Sequence, residues 1–338
     1  MPPSRKRKQV SPAASSFAGM HILAVAQLDE PMLRVVFETA LAMKQMVATK
    51  RKSTILQGRI LANVFFEPST RTMCSFDAAM KRLGGDVISI NESSSSAKKG
   101  ETIEDTVRCL QCYCDVLVMR HPVVGTAAKA AAAASKPVIN AGDGVGEHPT
   151  QALLDVFTMC DAHPRAALPD DADVVDLSAL TIALIGDLKH GRTVHSLSKL
   201  CASLSRPPTL HLVAPEQLRM PSGVTDELAK RQVTYKESEG LDEALPGCDV
   251  LYVTRVQKER FATPEEYAAV AGSYVVDSKA MATAKDDMIV LHPLPRVDEI
   301  ATDVDADPRA KYFEQMENGM YVRMALLALV LGADLSKL

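Results

Sequence analysis

The residues best suited to chemistry follow the first apolar run of the chain. Residues 60–66 are core-type residues and apolar apart from Asn63, the run stops at Glu67, and four side chains with hydrogen-bond donors follow shortly after, before helix-like periodicity resumes. These donors are Ser69, Thr70, Arg71 and Thr72. The start of a helix offers unpaired N–H groups and partial positive charge, and a guanidinium holds two anionic oxygens at once. The segment therefore predicts a phosphate or carboxylate site, with a simple helix N-cap at Ser69 and Thr70 as the alternative.

Polar residues also follow other segments that are predicted to be strands. They are Arg120, His148, Gln151, Arg192, Arg255 and Gln257. Taken singly, an arginine is typically solvated and a histidine is typically structural. In an open parallel sheet, however, the carboxyl ends of the strands share one edge, and ligands bind there. Arginines gathered at such an edge would repel one another unless anions separated them, so we predict a site for a multiply anionic ligand. The arginines concerned are Arg71, Arg120, Arg192 and Arg255.

Apolar periodicity alternates between short strands and helices along the chain. The first half predicts strands at residues 60–66, 86–90, 115–119 and 137–140, with helices at 31–50, 70–83, 102–113 and 124–135. The second half predicts strands at residues 181–187, 209–214, 232–236, 249–254, 273–277 and 288–293, and a final apolar helix at 308–331. This pattern indicates an α/β fold with two doubly wound parallel-sheet domains that are linked by helices. The C-terminal helix is expected to pack back on the first domain.

The same pattern predicts the domain boundaries. Residues 1–19 are expected to form a disordered basic tail, whose RKRK run is either solvated or a nuclear address. One domain is expected to comprise residues 20–150 together with the C-terminal segment 310–338, and the other residues 151–309.

Composition excludes several classes of function. The 338 residues carry a net charge of −4 and only 4% aromatic residues, with no Trp, which argues against a nucleic-acid partner. No apolar run approaches the roughly 18 to 20 residues that a membrane-spanning helix needs, and no secretory signal is apparent. Seven cysteines, an odd number, indicate a reducing compartment, so we expect a soluble, cytoplasmic protein without a membrane partner.

Cofactor and metal motifs are missing from the sequence. It contains no G-x-x-x-x-G-K-[ST], no G-x-G-x-x-G after a strand and no H-E-x-x-H. The closely spaced Cys109, Cys112 and Cys114 have no second pair of ligands nearby, so we interpret them as buried free thiols rather than a zinc site. These observations predict a transferase that uses neither a cofactor nor a metal.

Seven segments together resemble the aspartate transcarbamoylase family of carbamoyltransferases. They are FFEPSTRT, SSSSAKKGET, VMRHP, NAGDGVGEHPTQALLD, IGDLKHGRTVHS, TRVQKER and HPLPRVDEIATDVD, and the similarity runs from residue 20 to the C-terminus. The resemblance implies transfer of the carbamoyl group of carbamoyl phosphate to the amine of L-aspartate, which gives N-carbamoyl-L-aspartate and phosphate in pyrimidine biosynthesis. It also implies a homotrimer with active sites shared between subunits, a carbamoyl phosphate-binding first domain and an aspartate-binding second domain.

The resemblance further implies which residues bind carbamoyl phosphate. The phosphate would be held by Ser69, Thr70, Arg71, Thr72 and Arg120. Donors at the carbonyl oxygen would come from Thr72, Arg120 and a neutral His148. The carbamoyl NH2 would be bound by Gln151 and by the backbone at Leu294 and Pro295. The catalytic set would be Arg71, Thr72, Arg120, His148 and Lys99.

The second substrate and domain closure would use further residues. L-Aspartate would be bound by Lys99, Arg192, Arg255 and Gln257. Ser95 and Lys99 would come from the neighbouring subunit, although the run of four serines leaves Ser96 as an alternative to Ser95. In the closed state, Glu67 would pair across the cleft with Arg192 and Arg260.

Two other functions are compatible with parts of this pattern. An ornithine carbamoyltransferase-like enzyme would need an acidic receptor for its second substrate, and it would typically have a cysteine at the position of Pro293. In this chain Arg255 is expected to face that place instead. A non-catalytic scaffold subunit should have lost some of the STRT, HPTQ or KKGE residues, and all of them are present. Other enzymes or domains of pyrimidine synthesis are further expected partners.

Overall fold

Two parallel β-sheets, one in each half of the chain, form the framework of the molecule. The computed structural model describes residues 16–91, 100–166, 174–257, 261–268, 270 and 272–338. The strands of the first sheet are β1 (Ile60–Phe65), β2 (Asp86–Asn91), β3 (Val116–His121) and β4 (Val138–Asp143), in the order β2-β1-β3-β4. Those of the second are β5 (Thr181–Ile185), β6 (Thr209–Val213), β7 (Tyr235–Ser238), β8 (Val250–Val253) and β9 (Ile289–Leu291), in the order β7-β6-β5-β8-β9.

Helices connect the strands and cover the sheets. In the first half they are α1 (Glu30–Lys50), α2 (Thr70–Arg82), α3 (Ile103–Leu110), α4 (Thr126–Ala133) and α5 (Pro149–Ala162). In the second half they are α6 (Arg192–Ser203), α7 (Ser222–Lys230), α8 (Leu241–Ala244), α9 (Pro264–Ala268), α10 (Ser278–Met281) and α11 (Tyr312–Val330). Short 3-10 helices occupy Val25–Gln27, Glu216–Leu218, Thr302–Ala306 and Leu335–Lys337. The predicted α/β class with two parallel-sheet domains is confirmed.

The register of the strands aligns the loops that carry the predicted site. Central strands such as β5 and β8 are apolar and almost wholly buried, as expected for parallel strands covered on both faces. In the first sheet, Phe65 of β1 lies level with Arg120 of β3. In the second sheet, Ile185 of β5 lies level with Val253 of β8. Because all these strands run in the same direction, the segments that follow them emerge at one edge of each sheet.

The last helix, α11, returns to the first half of the chain. It packs against α1, α2 and α5, and most of its length is buried. Asn318 donates a hydrogen bond from Nδ2 to Asp161 at 3.1 Å, and Arg323 donates to Ser75 at 2.9 Å. The predicted packing of the C-terminal helix on the first domain is therefore confirmed. Across the described residues, no helix combines the length and the apolar character that spanning a membrane requires.

One predicted strand, at residues 273–277, is wrong. Val276 forms only an isolated bridge with Ile300, although its side chain is buried in the core of the second half. The outer edge of β9 is already occupied, because the backbone of Val290 bonds to Arg309 and Lys311. Tyr274 and Val276 therefore pack in this core without joining the sheet, whereas Val275 is 42% exposed.

Two smaller expectations also differ from the structure. The strand predicted at residues 232–236 begins only at Tyr235, because Val233 still bonds back to Leu228 at the end of α7. The three closely spaced cysteines are free, but only Cys114 is buried, whereas Cys109 and Cys112 are exposed. Cys109 lies at the end of α3 and Cys112 in the turn that follows it, before the chain enters the sheet at β3.

Candidate active site

A cavity of about 640 Å³ lies between the two halves of the molecule, at the carboxyl ends of the strands. Thirteen residues predicted from the sequence line it: Glu67, Ser69, Thr70, Arg71, Thr72, Arg120, His148, Gln151, Arg192, Arg255, Gln257, Leu294 and Pro295. The structure therefore brings together the four arginines that were predicted to share an anionic ligand. Ser95, Ser96, Lys99 and Arg260 lie outside the described residues.

The first part of the cavity wall is the N-terminus of α2. Ser69 occupies the N-cap position, but its side chain makes no capping hydrogen bond, so its hydroxyl is not used to finish the helix. Arg71 donates from Nη2 to the backbone carbonyl of Leu294 at 2.9 Å and so reaches across the cavity to the second half. Burial and the nearby charge of Arg255 lower the pKa of Arg71. This part of the wall offers backbone N–H groups, hydroxyls and a guanidinium to an anion.

Glu67 links two of the arginines. Its Oε1 accepts a hydrogen bond from Arg120 at 2.7 Å and another from Arg192 at 2.9 Å, and its Oε2 accepts from Arg192 at 3.2 Å. Burial alone would raise the pKa of Glu67, but the hydrogen bonds and charges of the two arginines lower it. Burial, reinforced by repulsion from Arg192, lowers the pKa of Arg120 to about 10. The single carboxylate thus offsets part of the charge of the two guanidinium groups and holds them side by side.

A glycine makes the close approach of these arginines possible. Gly142 in β4 has a φ of +126°, and a Cβ atom built there would lie 3.0 Å from Nη1 of Arg120 and 3.3 Å from Cζ of Arg192. Arg120 donates from the same Nη1 to the carbonyl of Ala141 at 3.2 Å. Any larger residue at position 142 would therefore disturb both guanidinium groups and strain the backbone.

His148 lies at the floor of the cavity, immediately before α5. Its side chain is buried, and burial together with the charges of Arg120, Arg192 and Arg323 lowers its pKa well below 6.5. The imidazole is therefore neutral near physiological pH. Its Nδ1 has no hydrogen-bond partner among the described residues. A neutral imidazole in this position can donate one hydrogen bond to a ligand without adding a charge.

The loop after β9 is held by a buried pair that the sequence did not reveal. Nδ1 of His292 accepts a hydrogen bond from the backbone N–H of Leu294 at 2.7 Å, so the ring proton lies on Nε2, which faces Oε1 of Glu299 at 2.7 Å. Burial lowers the pKa of His292 despite the opposing effect of Glu299. This arrangement fixes the backbone of Leu294, whose carbonyl accepts the hydrogen bond from Arg71.

Arg323 of α11 is a second lining residue that sequence reasoning missed. It is only 4% exposed, its guanidinium lies 5.2 Å from the centre of the Phe76 ring, and burial lowers its pKa to about 10. The available signal was an arginine inside the apolar segment YVRMALLALVL, where an unpaired charge would be costly. It adds a fifth positive charge to the cavity wall.

The second half contributes residues of a different kind. Arg255 and Gln257 follow β8 in a loop, and Gln257 donates a long hydrogen bond of 3.5 Å to the carbonyl of His190. Among the described lining residues, Glu67 is the only carboxylate. The cavity as a whole therefore suits small ligands with several negative charges.

Known proteins match both halves of the chain. The family described as aspartate/ornithine carbamoyltransferase, carbamoyl-P binding domain, matches residues 20–161, and the corresponding Asp/Orn binding domain matches residues 178–330. The aspartate carbamoyltransferase catalytic subunit of Methanopyrus kandleri is 47% identical over 94% of this chain and 99% of its own length. The multifunctional protein pyr1-3 of Dictyostelium discoideum is 50% identical over 94% of this chain, which spans only 14% of that relative.

A solved structure shows the same architecture. The crystal structure of aspartate transcarbamoylase from Trypanosoma cruzi, in complex with carbamoyl aspartate and phosphate, has a TM-score of 0.85 and 44% sequence identity, and the match covers 96% of this chain and all of that one. Matches to both domain families, near-complete coverage of an aspartate carbamoyltransferase and agreement of the folds all point in one direction. The chain belongs to the aspartate carbamoyltransferase branch of the aspartate/ornithine carbamoyltransferase family.

Proposed function

We propose that this chain transfers the carbamoyl group of carbamoyl phosphate to the amine of L-aspartate, with N-carbamoyl-L-aspartate and phosphate as products of a step in pyrimidine biosynthesis. The observation that carries this proposal is the convergence of Arg71, Arg120, Arg192 and Arg255 on one cavity beside a neutral His148. Both substrates are anions, and their combined charge matches such a wall. Residues 20–150 and 310–338 would form the carbamoyl phosphate-binding domain, and residues 151–309 the aspartate-binding domain.

The phosphate is assigned to the N-terminus of α2. Ser69, Thr70, Arg71 and Thr72 present hydroxyls, backbone N–H groups and a guanidinium to it, and Arg120 completes the set. Helix N-termini bind phosphate because their N–H groups are unpaired and the helix dipole is positive there. The free hydroxyl of Ser69 supports this assignment, since it is not used as a helix cap.

The carbamoyl group is assigned to the floor of the cavity. Thr72, Arg120 and His148 would donate to the carbonyl oxygen, where negative charge builds as the amine attacks, and each such donor stabilises the transition state by about 3 to 4 kcal/mol. Gln151 and the backbone at Leu294 and Pro295 would bind the carbamoyl NH2. No protein base is needed, because the departing phosphate can take the amine proton.

L-Aspartate is assigned to the side of the cavity formed by the second half. Arg192, Arg255 and Gln257 would bind its carboxylates, together with Lys99 from a neighbouring subunit. Arg192 is held by Glu67 in the structure, and the remaining N–H groups of its guanidinium can bind a carboxylate of aspartate at the same time. The pairing of Glu67 with Arg192 and Arg260 would then accompany closure around both substrates.

We also propose a homotrimer with active sites between subunits, in which Ser95 or Ser96, together with Lys99, crosses from a neighbour. Exposed apolar side chains beside the cavity support a subunit contact: Val123 is 60% exposed, Val124 54% and Val145 45%. They lie on the loops that follow β3 and β4, next to Pro122, which lines the cavity. A cytoplasmic location and association with other pyrimidine-pathway enzymes or domains are further parts of this proposal.

Subunit mixing tests the shared site. Arg71→Ala and Lys99→Ala should each be inactive alone, but an equal mixture reassembled after mild dissociation should regain activity at about a quarter of the sites. In those sites Arg71 comes from a Lys99→Ala subunit and Lys99 from a neighbouring Arg71→Ala subunit, so both residues are intact. Analytical ultracentrifugation checks that the preparations are trimers. A mixture that stays inactive would show that both residues belong to the same subunit's site.

Product formation tests the reaction itself. The purified chain should form N-carbamoyl-L-aspartate from carbamoyl phosphate and L-aspartate, and it should not accept ornithine. The cavity argues against ornithine, because Glu67, its only described carboxylate, is already paired with two arginines. Absence of turnover in a trimeric preparation would favour the scaffold alternative, and turnover with ornithine would contradict L-aspartate as the proposed second substrate.

A further inference from the structure

A buried carboxylate below the cavity contacts one of the proposed substrate-binding residues. Asp155 lies one turn after Gln151 on α5, and it is fully buried. Its Oδ1 accepts a hydrogen bond from Nε2 of Gln151 at 2.8 Å and another from Nε2 of Gln315 at 2.6 Å. Its Oδ2 accepts from the hydroxyl of Tyr252 at 2.8 Å. Asp155 thus connects the wall of the cavity to β8 and α11.

The bond between Asp155 and Gln151 has a defined direction. Burial raises the pKa of Asp155 to about 7, while the hydrogen bonds from Gln315, Tyr252 and Gln151 act in the opposite sense. Oδ1 already receives two N–H groups, so a proton taken up near neutral pH belongs on Oδ2, where the hydroxyl of Tyr252 can rotate and accept it. Oδ1 therefore remains an acceptor in both protonation states.

This direction determines which end of the Gln151 amide is left for a ligand. A side-chain amide has one donor end and one acceptor end, and the two can exchange by a half-turn about the last side-chain bond. Asp155 engages the NH2 end, so the oxygen end is the one that remains for the cavity that Gln151 lines. An oxygen suits the NH2 of a carbamoyl group and offers nothing to the methyl group of an acetyl group.

We propose that Asp155 is a positioning residue that sets the preference for carbamoyl phosphate over other acyl phosphates by holding the amide of Gln151 with its oxygen toward the substrate. The inference rests on the proposed role of Gln151. Asp155 itself does not touch the substrate. It acts by denying Gln151 the flipped orientation, in which the oxygen of Gln151 would face Oδ1 of Asp155, and its NH2 would face the NH2 of the substrate, so that a buried donor would be left unpaired.

The test compares acyl phosphates that differ only in this group. In the full chain, KM is measured for carbamoyl phosphate, and inhibition constants are measured for acetyl phosphate and inorganic phosphate as competitors. In Asp155→Leu the ratio of the acetyl phosphate inhibition constant to the carbamoyl phosphate KM should fall by about 10-fold or more, because one discriminating hydrogen bond is lost. The inhibition constant of inorganic phosphate should stay within about twofold, because the phosphate cradle is unchanged.

Two further variants separate positioning from general stability. Asp155→Asn should keep the ratio, because its amide oxygen can still accept from Gln151 while its NH2 faces the hydroxyl of Tyr252. Thr158→Val is the matched control: it removes a buried hydrogen bond between α5 and α11 at 3.3 Å, one turn further along the helix, and leaves Asn318 bonded to Asp161. This variant should lower the melting temperature without changing the ratio.

Asp155→Ala provides a second test if the leucine variant does not fold. A water molecule can fill the space it leaves, and water accepts from or donates to either end of the Gln151 amide, so the ratio should fall in the same direction. A ratio that stays at the wild-type value in a folded Asp155→Leu or Asp155→Ala variant would overturn the inference.

Gln151→Leu distinguishes this inference from the proposed function. If Gln151→Leu lowers the ratio and the Asp155 variants do not, Asp155 has no positioning role and the assignment of Gln151 stands. If Gln151→Leu leaves the ratio unchanged, the assignment of Gln151 to the carbamoyl NH2 is wrong, and the inference falls with it.

Discussion

The two halves of the molecule prepare their shares of the cavity differently. In the first half, the polar side chains come from regular elements: Arg120 is part of β3, and Gln151 lies in the first turn of α5. In the second half, Arg255 and Gln257 lie on a loop after β8, and the first residue of α6, Arg192, is bound to Glu67 from the opposite half. The anion site of the first half is therefore preorganised by its own helices and strands, whereas that of the second half depends on a loop and on Glu67 of the first half to position its side chains.

Removal of the preorganised charge should have the largest effect. We expect Arg71→Ala to lower kcat/KM for carbamoyl phosphate by about a thousandfold, because a charge-assisted hydrogen-bond donor to the departing phosphate is lost. Steady-state kinetics at saturating aspartate measure this. The control is Arg219→Ala, which breaks an exposed ion pair with Glu239 and should change kcat/KM by less than about twofold. Equal kinetics in the two variants would contradict a preorganised phosphate site.

Glu67→Gln should have the next largest effect, and it should fall on the second half. The amide keeps the size of the side chain but turns one acceptor into a donor, which faces Arg192 or Arg120. We expect kcat to fall and KM for aspartate to rise by about tenfold each, as for loss of a partly buried charged hydrogen bond. The KM for carbamoyl phosphate should change less. Unchanged steady-state kinetics would rule out a role for Glu67 in closure.

A methyl group at the junction of the halves should affect both substrates moderately. In Gly142→Ala the new Cβ would lie against Arg120 and Arg192, and a φ of +126° is unfavourable for alanine. We expect a loss of about 1 to 3 kcal/mol in the free energy of unfolding and higher KM values for both substrates. The matched control is Gly223→Ala in α7, where a Cβ meets nothing within 4 Å. It should be neutral or stabilise the protein by up to about 1 kcal/mol. Equal melting temperatures in the two variants would argue against a steric role for Gly142.

The smallest expected effect concerns the pH dependence of stability. The native state keeps His148 neutral, because its pKa lies well below 6.5, whereas the unfolded chain protonates it below that pH. The unfolded state therefore binds more protons, and the contribution of His148 to stability is lost as pH falls below 6.5, by at most about 1.4 kcal/mol per pH unit. His148→Gln should remove this slope. Denaturant unfolding from pH 7.5 to 5 measures it for both proteins, and parallel curves would mean that His148 is protonated in the native state.

The elements were largely predictable because each one depends on nearby residues. Alternating apolar runs gave the strands that the structure contains, and the polar segments after them fell at one edge because parallel strands share a direction. The failure at residues 273–277 has the opposite cause. The residues around Val276 have side chains typical of a strand. The outer edge of β9, however, is occupied by residues 309–311. No local sequence pattern shows which segments compete for the edge of a sheet.

The sequence by itself determined the class of fold, the family and most of the residues that surround the cavity, because each motif is short and its chemistry lies in adjacent side chains. Only the tertiary structure decided how these motifs act on one another. It placed Glu67 between Arg120 and Arg192, and it joined Asp155 of α5 to Tyr252 and Gln315. It also brought Arg323 of α11 to the cavity. The partners in these contacts lie far apart along the chain, so their distances depend on how helices and sheets pack, which local spacing does not specify.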